Sequence, residues 1–216
     1  MKIVLQVALW VVIAFLGYKV YDSVYSRVEF EEVKEKRFAV AVEQLKEIRR
    51  AQNAHKVVTG KYARDFESLA QFIDTAQFPI TQRRDSSFMR YDKAFRIDRS
   101  VDTVIVDILG YESVKDSLFK NSDDYKHLSE VKLEDGKTAN ISLKTAAVEK
   151  NDILYPVFKA EIKKRDLLYG QPEGYLREED QANSIEEING DAIYVGSLEE
   201  VSTNGNWPIV YDKKDK

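Results

Sequence analysis

Side chains able to do chemistry are sparse in this chain, and their spacing suits none of the common reactions. It has 216 residues, two histidines and no cysteine. The absence of cysteine removes a thiolate nucleophile, a disulfide framework and a zinc knuckle. His55 and His127 lie far apart, and neither has a second ligand at metal spacing. A Ser–His–Asp constellation would have to use one of these two, and neither stands in a nucleophile setting. Asp135-Gly136-Lys137-Thr138 ends like a phosphate-binding loop, but the glycine required upstream is replaced by Val131. The same tetrad reads more simply as a hairpin turn. Asp123-Asp124 and Glu178-Glu179-Asp180 are acidic, yet they lack the alternating oxygen ligands and the glycine of a calcium loop. Asn140-Ile141-Ser142 has the form of a glycosylation sequon inside an expected strand. No catalytic, cofactor-binding or metal-binding set emerges. The formal charge of −4 also argues against nucleic acid, which selects basic surfaces.

The elements that would position a site are clearer. Residues 3–18 contain no charge and one strongly polar residue, Gln6. As a helix they span roughly 24 Å against a hydrocarbon core of ~30 Å. Lys2 and Lys19 can snorkel from the two ends, and Tyr18, Tyr21 and Tyr25 suit an interfacial belt. The expectation is a transmembrane anchor over residues 1–20, weighed against a cleaved signal peptide and a buried core helix. The positive-inside rule puts the N-terminus in the cytoplasm and the bulk of the chain outside.

Between Gly17 and Gly60 there is no glycine or proline, which predicts one long helix. Phe30, Val33, Phe38, Ala41, Val42, Leu45, Ile48, Gln52 and His55 follow the three-four spacing of a buried stripe. Such a stripe serves either a coiled-coil seam or packing on the chain's own domain. Own-domain packing is expected for its distal half, leaving the half near the membrane for a partner. Gly60 ends this helix, and Asp65 caps a short returning helix over residues 66–74. Residues 21–78 thus form one hooked unit.

The stretch AVEQLKEIRRAQNAHKVVTGKYARDFESLAQFI resembles the end of the first helix and the following turn of type IV pilins and type II secretion pseudopilins. That family needs a processing site before its apolar run, a glycine preceding Phe with Glu five residues on. Here Gly17-Tyr18 follows the run, so the resemblance implies a pilin-like shape and not polymerisation. Over nearly its whole length the chain is similar to a family of uncharacterised single-span proteins of Bacteroidota-type bacteria. The segments KEKRFAVAVEQLKEIRRAQNAHKVVTGKYARDFESLAQFI, DTVIVDILGYESVKDSLF, VFKAEI and YVGSLEEVSTNGNW carry that similarity. It implies an inner-membrane, single-pass architecture with the bulk of the chain in the periplasm.

Residues 79–100 are polar and basic and read as a connecting loop. Arg83, Arg84, Arg90, Arg96 and Arg99 would serve an acidic partner or lipid headgroups if they gathered on one face. Residues 101–216 read as a β-rich extracytoplasmic domain. Its strongest strand is 102–109, and a meander is expected over 128–133, 137–148 and 153–162. The turns fall at Asp135-Gly136 and Asn151-Asp152, with Pro156 marking an edge or bulge. A short helix near 176–182, a last strand at 191–195 and Trp207 as a lid complete it. The expected fold class is α+β: a transmembrane helix, a long amphipathic helix, a short helix and a mainly antiparallel pilin-like domain.

The function expected from these features is a non-catalytic structural or interaction protein of the bacterial cell envelope. A filament subunit and an envelope hydrolase are the rivals. The expected contacts are the bilayer, and other envelope proteins or a second copy met through the N-terminal helix. Tyr18, Tyr21, Tyr25, Phe30, Val33 and Phe38 form the expected contact face, with Arg83 and Arg84 as an accessory.

Overall fold

The computed structural model describes residues 2–92, 95–120, 122–134 and 136–212, with Lys2, Val4, Leu5, Ala8, Asp22 and Asp92 described by backbone only. Helix α1 (Lys2–Thr59) is unbroken over 58 residues. Gly17 does not interrupt it, because one interior glycine costs only about 1 kcal/mol and the turns on either side are strong. The α+β expectation holds, with a long N-terminal helix followed by antiparallel sheets. Among the described residues no helix is long and apolar enough to cross a membrane. The side chains of Val4, Leu5 and Ala8, inside the expected anchor, lie outside the description.

The chain forms two compact units, Met1–Arg49 with Leu128–Lys216, and Arg50–His127. In the second unit, Gly60 takes φ +78° and its N–H closes on the Lys56 carbonyl at 2.8 Å, ending α1 as expected. Gln52 is fully buried, and its amide pairs with the backbone of Ala63 in both directions, at 2.9 and 3.0 Å. It substitutes for a strand neighbour across the turn. Helix α2 (Phe66–Thr75) begins at Asp65, whose Oδ1 accepts from the Ser68 N–H at 2.7 Å. Those bonds to Ser68 also hold the Asp65 carboxyl below its ordinary pKa. Leu69, Phe72 and Ile73 face inward.

Strands β1 (Gln77–Asp92) and β2 (Ile97–Ser113) form a two-stranded antiparallel ribbon. Residues 79–100, expected as a connecting loop, are strand over 79–92 and 97–100. Alternation is the sequence signature of a strand with one buried face. Neither face of this ribbon is buried, so that signature is missing. Helix α3 (Val114–Phe119) follows, and the Val114 N–H closes the ribbon's base on the Ala76 carbonyl at 3.1 Å. Phe119 packs on Tyr125, whose hydroxyl donates to Asp74.

In the first unit, strands β3 (Glu130–Lys132) and β4 (Thr138–Asn140) make a short hairpin. Gly136 turns it at φ +73°; Asp135, the other expected turn residue, lies outside the described residues. Strands β5 (Ser142–Lys150), β6 (Ile153–Lys163) and β7 (Ala192–Gly196) form an antiparallel sheet in that order. Asn151 and Asp152 both take positive φ, 55° and 60°, the geometry of a tight two-residue hairpin. Strand β7 pairs with β6 only from Lys159 to Lys163, so β6 is an edge at Pro156. Helices α4 (Lys164–Leu167) and α5 (Glu173–Asp180) occupy the charged segment between β6 and β7. The core of this unit joins Phe38, Val42, Leu45 and Ile48 of α1 to buried sheet residues such as Phe158, Ile162, Ile193 and Val195.

Gly196 ends β7 at φ +81°, and a Cβ there would sit 2.2 Å from the Phe158 carbonyl oxygen. Backbone cannot swing aside as a side chain can. Gly196→Ala is therefore expected to cost about 2 kcal/mol, read as a lowered denaturant midpoint. An unchanged midpoint would mean that β7 slides freely on β6.

Candidate functional site

Three regions are candidates: the contact of α1 with α4 and α5, the exposed start of α1, and the arginine-bearing ribbon.

At the first, Phe30 packs at a tilt on Tyr175 with ring centres 4.9 Å apart, and Arg27 reaches Glu178 at 2.6 Å. One turn further along, Lys34 lies 2.7 Å from Glu179 and 2.5 Å from Glu31. Arg37 donates to the carbonyls of Leu167 and Tyr169, both at 2.9 Å. The Leu167 carbonyl is at the C-terminal end of α4, where a cation is favoured, and Tyr169 lies just past its C-cap. Lys164 is fully buried; its Nζ donates to the carbonyls of Glu179 at 2.7 Å and Ile188 at 2.5 Å, with a Glu179 carboxylate oxygen 3.6 Å away. A groove of about 270 Å³ opens beside this network. Phe38, Ile188, Val210 and Tyr211 supply apolar lining, and Glu31, Glu35, Glu186 and Glu187 supply carboxylates.

The chemistry open to this groove is limited by how two properties are divided. A lysine nucleophile needs both a depressed pKa and access to the substrate. Lys164 has the depressed pKa, through burial, but no exposure, and its protons point at backbone carbonyls. Lys34 lines the groove, but although burial pulls its pKa down, the hydrogen bonds it donates to Glu179 and Glu31 outweigh that and raise it. It stays a charged ammonium. The network fastens α5 to α1.

Neither histidine enters it. His55 Nδ1 lies 2.6 Å from the Lys61 carbonyl and 3.0 Å from Thr59 Oγ1, with its ring against Phe72. That is a turn-closing role. His127 is exposed at the end of a 3₁₀ turn. Among the described residues no three His, Cys, Asp or Glu side chains are placed to hold a metal ion.

The expected contact face divides. Tyr18, Tyr21 and Tyr25 are exposed, and Tyr21 stacks on Tyr25 with ring centres 6.0 Å apart. Phe30 and Phe38, each 2% exposed, are covered by the protein's own fold, and Val33 is half-buried. Their availability to a partner is thus corrected: the chain itself uses the stripe from Phe30 onward. Arg83 and Arg84 are exposed on β1 but point to opposite faces, since successive strand residues alternate. Arg84 is engaged by Asp107 at 2.6 Å. The gathering of arginines on one face therefore does not include Arg83.

Lys164, Glu179 and strand β1 have no signal in the sequence, whereas the expected strand at 102–109 lies within β2. The two charged residues sit in a stretch that reads as solvated, and their burial is decided by distant α1. No protein-family model matches the chain, and neither does a curated protein or a solved structure.

Proposed function

We propose that this is a non-catalytic structural or interaction protein of the bacterial cell envelope, tethered to the inner membrane by the start of α1. The observation that carries the reading is the exposure of that segment. Leu9, Trp10, Val11, Val12, Ile13, Phe15 and Leu16 are each 50–66% exposed. Consecutive residues point all round a helix, so this is no single stripe awaiting a groove. A helix apolar on every side belongs inside a large protein or a bilayer, and the chain's own fold leaves it uncovered. The exposed tyrosines follow where an interface belt would lie, and the covered part of α1 begins at Phe30. Lys2 before the run supports an outward, periplasmic orientation for the rest.

The full-length protein is expected in the membrane fraction after alkaline carbonate washing, and a variant lacking residues 2–20 in the soluble fraction. Because the chain has no cysteine, Ser202→Cys gives a single thiol for an impermeant maleimide, which should label intact spheroplasts. Full-length protein released by the wash would sink the tether, and labelling only after lysis would reverse the orientation. A filament subunit is the second reading, favoured by the unbroken α1 with an exposed first part and a covered second. It predicts filaments by electron microscopy of overexpressing cells, and their absence would remove it.

A further inference from the structure

Among the described residues the β1–β2 ribbon has no third strand on either edge. Isolated two-stranded ribbons are marginally stable in water, yet this one pairs sixteen and seventeen residues. Its register sorts the side chains onto two faces. One carries Val104, Val106 and Ile108 in a row, directly opposite Asp85, Arg83 and Thr81. Those three apolar residues are 53%, 51% and 57% exposed. The other face is better covered by its own side chains: Val101, Thr103 and Asp107 are half-buried, and Arg84 crosses to Asp107. A contiguous exposed apolar row of the first kind marks an association surface.

We infer that the Val104–Val106–Ile108 face docks a second copy of this chain. The charges on the face select that occupant. Arg83 and Asp85 are successive residues of one strand on the same face, about 7 Å apart along it. A two-fold axis crossing the strands between the Arg83/Val106 and Asp85/Val104 pairs lays Val104 of each copy on Val106 of the other. The same axis sets Arg83 over the second copy's Asp85, twice. A two-fold contact requires a self-complementary patch, and this face is one. A lipid surface would favour a purely basic rim, and an unrelated charged partner would favour one sign of charge. The inference uses a different surface from the tether and stands apart from it.

The test is the oligomeric state of the full-length protein in mild detergent, by sedimentation equilibrium. The wild type is expected to be a dimer. Arg83→Asp and Asp85→Arg should each weaken it by about tenfold or more, because two facing pairs become repulsive. The double exchange, Arg83→Asp with Asp85→Arg, should restore it, since opposite charges face each other again. Far-UV circular dichroism unchanged across the set keeps the comparison within folded protein, and restoration by the exchange does so independently. A monomeric wild type overturns the inference. So does a dimer indifferent to both single reversals, or a double exchange as weak as the singles. Membrane fractionation of Arg83→Asp should match wild type, so loss of the dimer leaves the tether reading untouched.

Discussion

Glu179→Ala is expected to lower folding stability by about 3–5 kcal/mol, the range for removing one partner of a buried ion pair. Glu179 is 7% exposed and stands between two ammonium groups, those of Lys34 and Lys164. Without it, Lys34 retains Glu31 at the groove, but Lys164 keeps its charge among backbone carbonyls alone. Lys164→Met, by contrast, removes the buried charge and orphans the Glu179 and Ile188 carbonyls, so it should cost less. The double variant Lys164→Met with Glu179→Leu should fall well short of the sum, because each single change strands what the other removes. Strict additivity in thermal or denaturant unfolding would refute the coupling. Titration gives a second readout. Burial holds the Lys164 pKa below the ordinary lysine value, against the pull of Glu179. Between that depressed value and the ordinary one, the unfolded chain binds more protons than the folded chain. Stability therefore rises with pH across this window. Lys34 behaves oppositely: its raised pKa makes its contribution complete below the ordinary value and lost as pH climbs through the folded one. Wild type minus Lys164→Met should thus show a rise on approach to the ordinary lysine value that the variant lacks.

What could be read from the sequence follows from where burial is decided. The stripe on α1 is legible because one helix face meets one core, and Phe30, Phe38, Val42, Leu45 and Ile48 all prove buried. Gln52 is a polar residue at a position of that stripe. It is continuous with it, because its amide is satisfied by Ala63 and a satisfied polar group is cheap to bury. Asp65, Gly60 and the Asn151-Asp152 turn were legible for a local reason, since caps and tight turns are set by their own residues. The β-branched run at 102–109 marks β2, but β1 is not legible, because without a buried face its residues carry no alternation. Arg83, Arg84 and Arg90 make β1 look like a solvated connection. Lys164 and Glu179 were lost for the converse reason. Each sits in a run of charge, and only the approach of Lys34, more than a hundred residues away, makes that place an interior.

The fate of α1 along its length links these points. Among the described residues its first part has exposed apolar side chains on every side, while from Phe30 onward the stripe residues Phe38, Val42, Leu45 and Ile48 are buried in the same chain. The change occurs within one uninterrupted helix. Ser26, Arg27, Phe30, Lys34 and Arg37, past the tyrosines, engage α4 and α5. They mark the stretch of α1 where its exposed part gives way to its covered part.

The second large effect is expected at the far end of the chain. Trp207→Ala should cost about 3–5 kcal/mol, the range for emptying a buried aromatic site. Trp207 is 8% exposed, with the Arg49 guanidinium 5.9 Å from its ring centre. Its Nε1 donates to Asp212 at 3.1 Å. Asp212 also faces Lys46 at 3.4 Å, and Lys46 donates to the Tyr211 carbonyl at 2.5 Å and to Glu43 at 2.8 Å. The indole therefore holds the C-terminal segment against α1 by packing and by one polar link. A bridge from Gly205 to Val195 brings the same segment to β7. Gly205 lies under the ring, where a Cβ would come within 2.3 Å of it. Trp207→Phe separates the two contributions: it keeps most of the packing, loses the N–H, and should cost only about 1 kcal/mol. Limited proteolysis should then cut Trp207→Ala rapidly beyond residue 196 and leave Trp207→Phe nearly as resistant as wild type. Equal protection of the alanine variant would mean that Lys46 and the β7 bridge hold the segment without the ring.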